Sequence, residues 1–203
     1  MDNHSCGSCF ACCVWLGIKP LKKWPGQTCK HLDGAHGPET RCSIYPDRPQ
    51  CCADYLCGWR HGFGGDDMRP DRSGVLVTFH PNEGESEDPF IATIHVIDKT
   101  KAGAAADPDS LLNAWVAMIL SIGCNDIRII QGGDRPGSRI IHFSHGKILT
   151  GTVLKPDHHG FEDLNFAEEE EPLGHYRIKK SDELTAEDQL HIDALRHAVR
   201  QTK

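Results

Sequence analysis

No stretch of this 203-residue chain reaches 18 consecutive apolar residues, so none has the length to cross a bilayer as a helix. Residues 1–20 also lack an uninterrupted apolar run, since Cys, Asp, His and Lys intervene, and no secretory signal is expected there. Positive charge is in deficit. The 22 Lys and Arg face 29 Asp and Glu, and the net charge of -7 argues against a nucleic-acid partner. H-E-x-x-H and G-x-S-x-G are missing, and no cysteine is paired by motif with a base. Gln131–Gly137 has neither the Gly-Lys-Ser/Thr ending of a nucleotide loop nor a helix after it, so it reads as a hairpin turn. Cysteine is almost missing beyond residue 57. Only Cys124 stands there, and at a helix end it reads as a small buried apolar residue.

The other nine of the ten cysteines fall within the first 57 residues. They begin with Cys6-Gly-Ser-Cys9-Phe-Ala-Cys12-Cys13 and continue at Cys29, Cys42, Cys51, Cys52 and Cys57. A chain of this length, 38% apolar and 25% charged, can build an ordinary core without a disulfide framework. Without a secretory signal the expected compartment is the cytoplasm, where grouped thiols hold metal. Zinc sites use C-x2-C pairs a long gap apart, whereas Cys6, Cys9 and Cys12 recur at two-residue gaps, as in the run that wraps three corners of a 4Fe-4S cubane. An iron-sulfur cluster, 4Fe-4S in form, is therefore the favoured cofactor, with zinc as the alternative. The peptide between vicinal cysteines turns their side chains apart, so Cys12 and Cys13 serve different metals or different roles. More than four thiols are implied.

The spacing together with Cys29, the run Cys42-Ser-Ile44-Tyr45-Pro-Asp-Arg48-Pro49-Gln-Cys51-Cys52 and the closing Cys57-Gly-Trp59 resembles the YkgJ-like cysteine-cluster family, described as zinc- or iron-chelating domains. Its C-x2-C-x2-C-C opening falls on Cys6, Cys9, Cys12 and Cys13, its lone cysteine on Cys29, and its C-x-I-Y-x-x-R-P-x-x-C element on Cys42 to Cys52. The resemblance covers residues 6–60, and Arg69-Pro70-Asp71-Arg72-Ser73 is similar to the segment after the cluster in some members. It implies eight metal ligands: Cys6, Cys9, Cys12, Cys13, Cys29, Cys42, Cys52 and Cys57. Cys51 lies outside the pattern. One related group, the flagellin lysine methylases, uses a cysteine cluster in methyl transfer, which implies a protein- or peptide-modifying role and a protein or peptide partner. If iron is bound, Cys6, Cys9 and Cys12 with one cysteine of residues 42–57 are expected to hold a single cubane, the remaining thiols taking a second metal or walling an open site.

Neighbouring residues have physical jobs of their own. Pro46 and Pro49 fix backbone angles around Arg48, which then stands as a cation beside thiolates and favours their deprotonated form. Tyr45, Trp59, Phe10 and Trp15 are expected to form an apolar shell around the site. Lys19, Lys22 and Lys23 read as a basic patch for phosphate or an acidic peptide. Residues 1–60 carry seven Lys or Arg against five Asp or Glu before any thiolate is counted, an excess that would balance the sulfur charge.

Four regions follow from composition: a cysteine-rich metal module at 1–60, a connector at 61–73, a small α+β domain at 74–160, and an acidic linker with a C-terminal helix at 161–203. Val75–Phe79 and Phe90–Ile97 are β-rich, separated by the charged loop 81–89. Asp107 with Pro108 opens a helix whose face is Leu111, Leu112, Trp115, Met118, Ile119 and Ile122, and Gly123 ends it. Strands follow at 126–130, 139–143 and 147–154, with a two-residue hairpin at His145-Gly146. The fold class is α+β, an irregular cysteine-rich module followed by a mainly antiparallel sheet covered by one helix. The 13 histidines form no recognisable motif, although His80, His95 and His142 invite a second metal site. The expected function is a metal-binding protein, redox or protein-modifying. The alternative is a structural zinc-binding interaction module without catalysis. An electron-transfer module and a metal-storage or delivery protein belong to the same class.

Overall fold

The computed structural model describes residues 4–34, 41–81, 90–104, 107–131, 138–144, 147–153, 176–178, 184–186 and 189. The charged loop 82–89, the turn 132–137, the pair 145–146 and nearly all of 154–203, including most of the helix read from Thr185, lie outside them.

The protein is α+β. Strands β3 (Val75–Pro81), β4 (Phe90–Val96), β5 (Asp126–Gln131), β6 (Arg139–Ser144), β7 (Lys147–Val153) and β8 (Tyr176–Ile178) form one six-stranded sheet in sequence order. Every pairing is antiparallel except β4 with β5, and the chain makes that crossover through α4 (Lys99–Ala102) and α5 (Leu111–Ser121). Alternation explains the faces. Ile94 pairs with Ile129 and Ile129 with Ile141, so one isoleucine-rich face runs across three strands into a core shared with Leu112, Trp115, Val116 and Ile119 of α5. The opposite face carries the cross-strand row Thr78, Thr93, Arg128 and His142.

Helix α5 starts later than Pro108 implied. Asp107 accepts from the Asp109 N–H at 3.0 Å within its own turn, and Ser110 is the N-cap, its hydroxyl accepting from Asn113 N–H at 3.1 Å. Gly123 does follow the helix, at φ +82, a conformation costly for other residues. The buried stripe is Leu112, Trp115, Val116 and Ile119, at helical spacing, whereas Ile122 is 41% exposed because it lies beyond the last turn. Strand β8 is an element the sequence did not announce, since three residues give periodicity too little length.

The stretch read as a connector is more regular than expected. A 3-10 turn at Asp66–Met68 leads into α3 (Pro70–Ser73), and the buried Ser73 hydroxyl bonds Met68 O and Val75 O.

Among the described residues of the first sixty there are only short elements: α1 (Ala11–Trp15), a 3-10 turn at Lys19–Leu21, the two-residue pair β1 (Leu32–Asp33) and β2 (Arg41–Cys42), and α2 (Gln50–Asp54). They nevertheless join the main core. Ala11, Leu16, Cys57 and Trp59 pack in the same apolar cluster as the sheet and α5, and Gly58 N–H donates to Val77 O at 2.8 Å along the outer edge of β3. A Cβ at Gly58 would sit 3.1 Å from Val77 Cβ and 3.2 Å from the ring of the buried Trp115. Gly58→Ala is therefore expected to destabilise the protein by about 1–3 kcal/mol through overpacking, measured as a lowered denaturant midpoint. An unchanged midpoint would mean that this contact is not part of the packed core.

Candidate metal centre

Helix α1 and the turns around it deliver the sulfurs. Cys9 N–H bonds Cys6 O at 2.8 Å in a tight turn, and Cys13 N–H bonds Phe10 O at 2.9 Å as α1 begins. Cys29 N–H bonds Cys13 O at 2.9 Å, Leu32 N–H bonds Cys29 O at 3.0 Å, and Leu32 pairs with Cys42 across β1 and β2. The start of the chain is tied back to residues 57–60. The His4 ring stacks on Trp59 with centroids 4.5 Å apart, its Nδ1 lies 2.8 Å from Trp59 O, and the Arg60 guanidinium donates to His4 O.

These connections bring every cysteine of the first 57 residues to one place. Cys6, Cys9, Cys12, Cys13, Cys29, Cys42, Cys51, Cys52 and Cys57 all line one cavity of about 310 Å³, with Leu76 of β3 and Pro70 of α3 also in its wall. None of them is in a disulfide. Cys29 and Cys57 are buried, while Cys6 and Cys51 are exposed. Cys124 is 1% exposed and sits in the sheet-and-helix core, its thiol 3.3 Å from Asp126 O. Sequence and structure agree on its separation from the cluster.

Burial sets the state of the thiols. It pushes Cys9 up to about 11 and Cys52 up to about 12, and it raises Cys42 and Cys57 as well. Cys12 and Cys13 are joined by a sulfur hydrogen bond, which raises Cys12 and lowers Cys13 to about 7, with Lys23 lowering Cys13 further. Cys13 is thus drawn toward its thiolate, its sulfur accepting from the Cys12 thiol.

The cation at the centre is not the one the sequence singled out. Lys23 is only 4% exposed; its ammonium donates to Val14 O at 3.0 Å, Trp24 O at 3.3 Å and Leu16 O. Burial draws it down to about 8, against the opposing pull of Cys29, Cys13, Cys12 and Cys52. The Lys19-Lys22-Lys23 patch is thereby broken up, with Lys19 and Lys22 exposed and Lys23 turned inward. Arg48 stacks 3.8 Å over the Tyr45 ring, donates to Tyr45 O at 2.6 Å, and from that position slightly opposes the rise that burial imposes on Cys42. Tyr45 is 62% exposed and so does not shield the site, whereas Trp59 at 4% does. Phe10 lines the cavity and Trp15 packs half-buried against the core.

Do these residues fit a metal held by thiolates? The donors are all sulfur and a buried cation offsets their charge, which is the chemistry such a group needs. Among the described residues the buried Tyr55 hydroxyl, in the cavity wall, has no hydrogen-bond partner, and Cys57, Cys12, Cys9 and Cys6 all act on it electrostatically. A thiolate or cluster sulfur would supply the missing acceptor. As the side chains stand, no group of three or more His, Cys, Asp or Glu among the described residues is placed to hold a metal ion. Protonated thiols gain nothing by converging on one point; a cation that replaces their protons would draw them together.

His80, His95 and His142 share the sheet face opposite α5, where Thr78 Oγ1 lies 3.0 Å from His80 Nε2 and His142 Nε2 lies 2.7 Å from Asp126 Oδ1. They do not form a metal-binding group among the described residues. The buried Asp126–His142 pair was not legible in the sequence, because its partners stand 16 residues apart and meet only through the register of β5 with β6.

No family model, curated protein or solved structure matches the chain. Among the described residues no helix is long and apolar enough to cross a membrane.

Proposed function

We propose that residues 4–60 hold a metal centre on cysteine thiolates, an iron-sulfur cluster in the favoured form, and that the protein uses it in redox or protein-modifying chemistry. The observation that carries this reading is the convergence of nine unpaired cysteines on one cavity, delivered there by separate loops and turns. Thiols gathered at this density without disulfides serve metal in a reducing compartment. Bound there, the centre would supply electron transfer or Lewis acidity. The chain's own residues would shape it: Lys23 and Arg48 by charge, Tyr55 by its free donor, and Trp59 with Phe10 by limiting water.

A second reading, a structural zinc-binding interaction module, is favoured by one observation. Among its described residues the metal region has only two-residue strands, one 3-10 turn and five-residue helices, so ligation would have to supply much of its order. Both readings predict that Cys9→Ser and Cys42→Ser each lower bound metal by about half or more and loosen residues 4–60, whereas Cys124→Ser leaves metal unchanged. Elemental analysis of the three variants decides it. Full metal content in both cluster variants would overturn the ligand assignment.

A further inference from the structure

The thiols do not share one environment. Cys57 belongs to the main apolar core, and Cys9 and Cys12 pack against that core. Cys6 is held to the same side by the Cys6–Cys9 turn and by the His4 contacts to Trp59 and Arg60. Tyr55 adds an independent observation. Its hydroxyl is buried and unpartnered among the described residues, and the thiols that act on it most are Cys57, Cys12, Cys9 and Cys6.

The remaining sulfurs group around Cys13. Cys29 is fixed to it by the 2.9 Å main-chain bond, and Cys42 is carried beside Cys29 by the pairing of β2 with Leu32. Cys52 feels Cys13 and Cys29 after its neighbour Cys51, and Lys23 feels Cys29 and Cys13 most, then Cys12 and Cys52. Adjacent residues on a helical turn diverge by about 100°. Cys12 and Cys13 of α1 therefore face different groups, with their mutual hydrogen bond between the two.

We propose that the cluster is two four-thiol sites meeting at the Cys12–Cys13 peptide: an inner one of Cys6, Cys9, Cys12 and Cys57 against the core, and an outer one of Cys13, Cys29, Cys42 and Cys52 in the loops. Each takes its own tetrathiolate-held centre, a zinc ion or an iron-sulfur cluster. This rests on the metal-centre reading above and divides it. Loading replaces protons on the thiols with metal, so protons leave each site as it fills and none of the sulfur is oxidised. Tyr55 serves the inner site as a donor to sulfur, and Lys23 serves the outer one as a fixed cation. Cys51 belongs to neither and stays reactive at the exposed mouth.

The test is alkylation of the full-length, metal-free protein titrated with zinc alone under anaerobic reducing conditions, with each modified cysteine located by fragmentation mass spectrometry. At partial loading the thiols are expected to become protected in two sets of four, Cys12 with Cys57 and Cys13 with Cys42, reaching saturation at about two zinc per chain with Cys51 still reactive. Reconstitution with iron and sulfide should protect the same two sets. In a second arm, Cys29→Ser/Cys42→Ser should abolish protection of the outer set alone. Protection of all eight thiols in parallel, or loss of both sets in that variant, would overturn the division while leaving the metal centre standing. No protection at any zinc or iron ratio would overturn the metal centre itself.

Discussion

Lys23→Met will weaken metal binding by the full-length protein roughly 10- to 100-fold while leaving the metal-free fold as stable as before or more so. The two signs come from the same burial. An ammonium only 4% exposed keeps its hydrogen bonds through Val14 O, Trp24 O and Leu16 O, but carbonyls do not neutralise its charge. In the loaded state the neighbouring thiolates do. Removing one partner of a buried charge pair costs about 3–5 kcal/mol where the remaining charge has no other compensation, and water at the cavity mouth reduces that here. In the metal-free protein near pH 7 the thiols raised by burial are protonated, Cys13 alone among the shifted thiols is drawn toward its thiolate, and burial still leaves the cation a net liability. Because Lys23 is drawn down to about 8, that penalty is fully present below pH 8 and fades as pH rises from there toward the unfolded lysine value. Wild type should thus gain stability relative to Lys23→Met across that window. Metal affinity by competition with a chromophoric chelator, with melting of the metal-free forms at pH 7 and pH 9, reads both signs. Equal affinities in the two proteins would show that Lys23 does not face the metal.

Removal of metal with a chelator at neutral pH will open the first region to proteolysis and spare the sheet. Early cuts are expected between about residues 16 and 56, with the β3–β7 segment persisting at least tenfold longer. Among the described residues of 4–60 the buried apolar side chains are few, and Ala11, Leu16, Cys57 and Trp59 share their cluster with the sheet and α5. Short strands and single-turn helices cannot offset the ordering of that much chain, about 1–2 kcal/mol per residue in the backbone alone. Structural zinc can, at about 10–16 kcal/mol per ion. The sheet has its own core of Val75, Val77, Ile94, Ile129 and Ile141 under α5 and needs no such help. The shared packing at Gly58 sets the limit of the opening, so residues 57–60 should stay protected with β3. Cuts spread evenly through both regions would mean that the metal holds one common core.

What could be read from the chain came from strong local patterns. Cysteine has few roles, so its spacing picked out Cys6 to Cys57 as a set, and the structure brings all of them to one cavity. Period-two apolar runs gave β3 to β7, and the Leu112–Ile119 stripe gave α5. What failed depended on tertiary context. Lys23 reads as surface in any composition argument, and only three main-chain carbonyls converging on its ammonium make burial tolerable. Tyr45 reads as shell but is drawn outward to stack under Arg48. Ser110 displaced Asp107 as cap because Asp107 spends its carboxylate on its own turn.

The most direct measurement of the central claim is iron, acid-labile sulfide and zinc per chain, with the absorption spectrum, on full-length protein purified anaerobically. The account predicts brown protein with iron and sulfide in equal amounts at about four of each per filled site, or colourless protein with about two zinc and no sulfide in its structural form. Protein that is folded, fully reduced at Cys6 to Cys57 and free of stoichiometric iron or zinc, and that takes up neither on reconstitution, would contradict it.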